Sequence, residues 1–94
     1  MEDIAIESEE RFENGWIFVV SVGYMGDKIE YTVILDEDYW RDLTDRREEP
    51  GQLVRRSFGF LLSRESKDVI LKKFNLRAVN TYFPEFEEEI SKKR

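Results

Sequence analysis

The fold is decided by the ten residues GWIFVVSVGY at positions 15–24. β-branched and aromatic residues dominate this stretch, and its side chains alternate with the period of two that is typical of a β-strand. The face that we expect to be buried carries Trp16, Phe18, Val20, Val22 and Tyr24. Ile17 and Val19 fall on the other face. The stretch therefore predicts a central strand with one side in the core.

Turn signals on both sides of this strand predict two neighbouring strands. Asn14-Gly15 comes just before it, and this pair favours a tight hairpin because both positions tolerate a positive φ. Gly26-Asp27 supplies a second turn. Residues 4–12 then form the first strand and residues 29–35 the third. We therefore predict a three-stranded antiparallel β-meander over residues 3–35.

Helical periodicity replaces alternation from Asp36 onward. Asp36 is placed to cap a first helix, which carries apolar side chains inward and ends near Thr44. Pro50 suits the first turn of a second helix, where its missing N–H costs nothing. Apolar residues recur at helical spacing over positions 53–62 and predict a broad buried face for this second helix.

The chain after residue 62 predicts further short helices. Ser63 or Ser66 is placed to cap a third helix. Its inward side chains are expected to be Val69, Ile70 and Phe74. Residues 76–83 form a short fourth helix, and a last acidic turn follows Pro84.

Strands first and helices after them define an α+β domain. We expect one domain over residues 1–94, with strands at about 3–35 and helices at about 36–91. Its architecture is an N-terminal three-stranded antiparallel β-meander followed by three to four short helices packed on one face of the sheet.

Three stretches resemble a family of small uncharacterised microbial proteins. They are YTVILDEDYWRDLT at residues 31–44, LVRRSFGFLLSRES at residues 53–66 and YFPEF at residues 82–86. The resemblance implies a shared domain in which strands precede helices. It implies no activity and transfers no functional residue.

The composition excludes several kinds of chemistry. The chain has 94 residues, a net charge of −6, no cysteine and no histidine. It therefore forms no disulfide or thiolate metal site, and it lacks the usual general base. The acidic N-terminus does not resemble a signal peptide, and the apolar runs are too short to cross a bilayer. We expect a cytoplasmic protein that does not enter membranes.

Two residue pairs suggest reactive chemistry by their spacing. Asp38 and Asp42 stand four residues apart and would share a divalent cation, although a helix start also favours acidic residues. Ser63 and Lys67 have the same spacing and suggest a serine nucleophile with a lysine base. Ser63 more simply caps a helix, and Lys67 more simply meets solvent. We therefore predict no catalytic residue, no metal and no cofactor.

The charges are unevenly distributed, because acidic residues dominate positions 1–49 and basic residues dominate positions 50–81. The leading hypothesis is a non-enzymatic module that binds a protein partner or associates with a second copy of itself. The alternative is a small nucleic-acid-associated regulator with a basic helical face, which offers Arg77, Asn80 and Thr81 to base edges.

The candidate interaction surface combines five basic residues with the aromatic residue that we expect to be most exposed. Its members are Trp40, Arg55, Arg56, Lys72, Lys73 and Arg77. The nucleic-acid hypothesis requires the arginines and lysines at positions 55, 56, 72 and 73 to form one contiguous face. The protein-interaction hypothesis requires an exposed apolar patch, expected around Trp40 or Phe60.

Overall fold

A computed structural model describes residues 3–91 of the chain. The elements in chain order are β1 (Ile4–Phe12), β2 (Gly15–Val22), β3 (Ile29–Asp36), α1 (Glu37–Thr44), α2 (Pro50–Leu62), β4 (Lys73–Asn75), α3 (Val79–Tyr82) and α4 (Phe86–Ser91). Short 3-10 turns lie at Met25–Asp27 and Leu76–Ala78. The helices are short, and none in residues 3–91 combines the length and apolarity that a membrane span requires.

The strands form one mixed sheet in the order β1-β2-β3-β4. β2 pairs antiparallel with both β1 and β3, whereas β4 runs parallel to β3. The predicted α+β class is confirmed. The predicted three-stranded meander describes β1 to β3 and omits β4, so the sheet is mixed rather than wholly antiparallel.

The predicted third helix, with Val69, Ile70 and Phe74 inward, is replaced by turns over residues 63–72 and by strand β4. Helical spacing fitted these side chains, but only Ile70 is deeply buried and Val69 is 62% exposed. Phe74 lies on β4, where it pairs with Val33. A tertiary contact with β3 therefore overrides the local pattern.

Lys67 explains why the segment 63–72 turns instead of forming a helix. Its side chain is buried, and its ammonium donates to the Asp27 carbonyl at 2.6 Å and to the Asp27 carboxylate at 3.0 Å. The Tyr31 hydroxyl donates to the Lys67 carbonyl at 2.5 Å. These bonds join the segment to β3 and to the β2–β3 connection, and they satisfy a buried charge that would otherwise be costly.

The core lies between the helices and one face of the sheet. The alternation predicted for β2 is observed, since Phe18, Val20 and Val22 are fully buried. β3 contributes Tyr31, Val33 and Leu35, which are also buried. The helices add a second layer of apolar side chains, including Leu53, Val54, Phe58, Phe60, Leu61, Phe86 and Ile90.

The opposite face of the sheet, here called the open face, contributes no residue to this core cluster. Strand pairing places the following residues on it: Ala5, Ser8, Glu10 and Phe12 of β1, Gly15, Ile17, Val19 and Ser21 of β2, Glu30, Thr32, Ile34 and Asp36 of β3, and Lys73 and Asn75 of β4. The open face thus includes the side of β2 that carries Ile17 and Val19.

A substitution at Gly23 tests how closely the β2–β3 connection is packed. Its φ is +126°, and a Cβ there would lie 2.3 Å from the Asp27 carbonyl oxygen and 2.7 Å from Lys67 Nζ. We expect Gly23→Ala to lower the free energy of unfolding by about 2 kcal/mol, measured by urea denaturation. Gly26→Ala is the control, since no atom lies within 4 Å of its added Cβ. Equal effects of the two substitutions would contradict this account.

Candidate protein-interaction surface

Trp40 is half-buried rather than exposed. Its indole N–H donates to the Glu48 carbonyl at 2.8 Å, and its ring meets Trp16 edge-on with centroids 5.3 Å apart. The expectation that Trp40 is the most exposed aromatic residue is therefore wrong. Tyr82 is 66% exposed and Tyr24 is 53% exposed. Trp40 joins α1 to the loop before α2.

Arg56 of α2 is engaged inside the domain. Its guanidinium forms two 2.7 Å bonds with the Glu48 carboxylate and donates to the Ile90 carbonyl at 2.9 Å. It therefore joins α2 to the preceding loop and to α4. Arg55 points to the other side, where its guanidinium donates to the Ile4 carbonyl of β1.

Arg77 lies within an ion-pair cluster at the start of α1. Its guanidinium contacts Asp36 at 3.2 Å and Asp38 at 2.9 Å, and it stacks over the Tyr39 ring at 4.7 Å. The Tyr39 hydroxyl donates to the Glu87 carboxylate at 2.8 Å. Burial, reinforced by the hydrogen bond and charge of Glu87, raises the pKa of Tyr39 well above its ordinary value. The cluster fastens α1 to the chain after β4 and to α4.

The basic residues do not form one contiguous face. Arg55 contacts β1, whereas Lys73 lies on β4, at the opposite edge of the sheet. Lys72 and Lys73 are exposed, and neither forms an ion pair within residues 3–91. The six predicted surface residues therefore fall into separate places, and three of them (Trp40, Arg56 and Arg77) hold the domain together.

The two reactive pairs considered from the sequence are also engaged in structural contacts. The Ser63 hydroxyl donates to the Phe60 carbonyl at 2.6 Å, and the Lys67 ammonium binds Asp27. Asp38 pairs with Arg77. Within residues 3–91, no three acidic side chains are grouped so that they could hold a metal ion.

An apolar groove opens beside β4, and we call it the β4 groove. It holds about 170 Å³. Its walls come from the end of α2, the segment 63–72, β4 and α3. The lining residues are Leu61, Glu65, Val69, Ile70, Leu71, Phe74, Ala78, Val79, Tyr82 and Phe83. Glu65 is the one charged residue among them.

Solvent-exposed apolar side chains concentrate at this groove. Val69 is 62% exposed, Leu71 is 55% exposed and Tyr82 is 66% exposed. The sequence did not predict that these side chains are exposed. Val69 was expected to be buried on the inner side of a helix, and Leu71 belongs to no periodic pattern. Only the turn at Lys67 and the pairing of β4 bring them to one rim.

The chain matches no protein-family model, no curated protein and no solved structure. The resemblance inferred from residues 31–86 therefore gains no support from these comparisons.

The contacts of Arg56 predict that substitutions at two adjacent arginines, Arg55 and Arg56, have different effects on stability. We expect Arg56→Met to lower the free energy of unfolding by about 2–3 kcal/mol, because it leaves the Glu48 carboxylate without its partner in a partly buried site. Arg55→Met removes one exposed hydrogen bond, and we expect a loss of less than about 1 kcal/mol. Urea denaturation of both variants tests this, and equal losses would refute it.

Because the pKa of Tyr39 is raised in the folded protein, we expect the stability of the fold to depend on pH in the alkaline range. A pKa that is higher in the folded state means that the neutral phenol stabilises the fold. This contribution is complete below about pH 10 and is lost as the pH rises further. We expect Tyr39→Phe to flatten the alkaline decline in unfolding free energy between about pH 10 and pH 12.

Tyr82→Phe controls for the loss of a phenol on an exposed ring, and we expect it to keep the decline of the parent protein. Denaturation curves recorded at several alkaline pH values measure both slopes. If Tyr39→Phe and the parent protein decline in parallel, the role assigned to this hydroxyl is wrong.

Proposed function

We propose that this protein is a non-enzymatic protein-interaction module and that the β4 groove binds an extended apolar segment of a protein partner. The observation that carries the proposal is the concentration of Val69, Leu71 and Tyr82, all more than half exposed, around one groove. Small soluble domains seldom leave apolar side chains grouped in this way unless a partner covers them.

The position of β4 favours a partner segment in the extended conformation. β4 is the outermost strand of the sheet on that side, and its bonds to β3 use alternate residues. Lys73, between the bonded residues 72 and 74, therefore directs its N–H and C=O toward the free edge. A partner strand that pairs with this edge would place every second side chain over the groove.

The groove has charges of both signs nearby, because Glu65 lines it and Lys72 lies next to Leu71 at its rim. Lys72 follows Leu71 directly, is exposed and has no ion pair within residues 3–91. Covering the three exposed apolar side chains contributes about 1 kcal/mol each, which together with edge pairing corresponds to weak binding, with a dissociation constant of about 1 mM or somewhat below. The partner segment is therefore apolar at alternate positions.

Two further observations favour a protein partner over the other classes considered. The arginines and lysines that a nucleic acid would need lie at opposite edges of the sheet. The sequence contains no histidine or cysteine, and both Ser63 and Lys67 make structural hydrogen bonds.

Selection from a random peptide library displayed on phage tests the proposal. We expect enriched peptides to carry apolar residues at alternate positions and to bind the full chain with one peptide per chain. Leu71→Asn and Val69→Asn should each weaken binding about tenfold, because each removes apolar contact from the rim. On binding, hydrogen exchange of the Lys73 amide should slow, since strand addition protects it.

Met25→Asn is the matched control, because Met25 is 88% exposed and lies outside the groove. It should leave peptide affinity unchanged. The proposal is wrong if no peptide is enriched above an unrelated domain, or if the selected peptides bind Leu71→Asn and the parent protein equally well. Binding without protection of Lys73 would exclude strand addition.

A further inference from the structure

The two tryptophans of the chain line one pocket, which we call the tryptophan pocket. It holds about 440 Å³, which is within the range of small-molecule sites. Its lining residues are Glu9, Trp16, Trp40, Arg46, Arg47, Glu48, Glu49 and Pro50. None of them lines the β4 groove, so the two sites are separate.

The two indole rings form a corner of this pocket. Trp16 and Trp40 meet edge to face, with their centroids 5.3 Å apart and their ring planes at 76°. The Trp40 N–H is bonded to the Glu48 carbonyl, but no cation of residues 3–91 is stacked on the Trp40 ring. An indole face attracts a cation more strongly than any other aromatic side chain does. The pocket therefore offers a cation-binding face that the described part of the fold leaves unused.

Elsewhere the chain fills such faces with its own arginines. In three places a guanidinium stacks on an aromatic ring and contacts a carboxylate at the same time. These groups are Arg11 with Trp16 and Glu37, Arg64 with Phe60 and Glu85, and Arg77 with Tyr39 and Asp36. The guanidinium carbon lies 4.0–4.7 Å from the ring centroid, and the nitrogen lies 2.9–3.2 Å from the carboxylate oxygen. In this protein, an aromatic ring beside a carboxylate is therefore a guanidinium site.

The tryptophan pocket has the same two components without a guanidinium between them. Glu9 and Glu49 line it together with Trp40, and both glutamates are exposed. Among the described residues, neither carboxylate has a hydrogen bond or an ion pair. Carboxylates next to an indole face hold a guanidinium by stacking and by charge-assisted hydrogen bonds together. The guanidinium that completes this site therefore has to come from a ligand.

Two arginines give another side of the pocket a positive charge. Arg46 has no ion pair within residues 3–91, and Arg47 contacts Asp45 at 3.7 Å with both side chains exposed. Asp45 and Arg46 have φ of 54° and 61°, in the left-handed region, and the Arg46 N–H donates to the Thr44 hydroxyl at 3.2 Å. Non-glycine residues held in this region cluster at ligand-binding sites. A ligand that fits both sides of the pocket therefore carries an anion as well as a cation.

We propose that the tryptophan pocket binds a small molecule, or the end of a peptide chain, that carries a guanidinium group and a carboxylate, as L-arginine and a C-terminal arginine do. The guanidinium stacks on the Trp40 face and bonds to the carboxylates of Glu9 and Glu49. The carboxylate of the ligand lies toward Arg46 and Arg47. This binding is independent of the β4 groove and of the function proposed for it.

Tryptophan fluorescence of the full chain tests the proposal, because both tryptophans lie in this pocket. We expect L-arginine to change the emission in a saturable way, with a dissociation constant between about 0.1 mM and about 1 mM, as suits a ligand of its size. L-citrulline has nearly the same shape without the positive charge, and it should bind at least about tenfold more weakly. A tripeptide of two glycines and a C-terminal arginine identifies the source of the ligand. Tighter binding than L-arginine assigns the site to a chain end, and weaker binding assigns it to the free molecule.

Substitutions in the pocket separate the two ends of the ligand. Glu9→Gln and Glu49→Gln should each weaken L-arginine binding about fivefold, because each removes a negative charge that the guanidinium contacts. Arg46→Gln should weaken L-arginine binding about threefold. It should not weaken the binding of agmatine, which is arginine without its carboxylate. A purely structural effect of this substitution would lower the affinity for both ligands alike and would contradict the assigned role of Arg46.

Glu30→Gln is the matched control, because it makes the same change at an exposed carboxylate on the opposite face of the sheet. It should leave the affinity for L-arginine unchanged, and circular dichroism checks that every variant keeps the parent fold. The proposal is overturned if neither fluorescence nor titration calorimetry detects saturable binding of L-arginine up to about 10 mM. It is also overturned if L-citrulline binds equally well, or if the double variant carrying Glu9→Gln and Glu49→Gln binds L-arginine like the parent protein.

Discussion

The buried ammonium of Lys67 holds together the parts of the chain on which the rest of the structure depends. It binds the Asp27 carbonyl and carboxylate, while the Lys67 carbonyl accepts the Tyr31 hydroxyl. A charge in this position has to be satisfied from more than one side, so the three segments that surround it become mutually fixed. The chain that leaves this junction reaches β3 as β4 and forms the rim of the β4 groove.

Most of the sheet was predictable because its signals are local. The alternation in residues 15–24 and the Asn14-Gly15 turn define β2 and its partners without information from elsewhere in the chain. β4 was not predictable for the opposite reason. It has three residues, and its pairing partner lies about forty residues earlier in the chain. The spacing of Val69, Ile70 and Phe74 fits a helix equally well, and contacts with distant parts of the chain, those of Lys67 and of β4, decide against it.

The candidate site shows the same division between local and distant information. From the sequence, several cationic residues and a tryptophan were expected to be free to contact a partner. In the structure, Arg56, Arg77 and Trp40 instead form hydrogen bonds or ion pairs with groups in other parts of the chain. Exposure depends on these partners, and the positions of partners are a property of the fold. The apolar rim of the β4 groove was missed because no periodic pattern connects its members.

The two edges of the sheet differ in how readily they could pair with another strand. β1 has an irregularity between Ile6 and Ser8, and its second half is charged and exposed. Such an edge resists pairing with another strand, whereas the short edge of β4 is regular. If a sheet can accept a strand at only one of its two edges, it cannot grow further once that edge has paired. The geometry therefore protects the protein against edge-to-edge polymerisation into fibrils while one edge stays open.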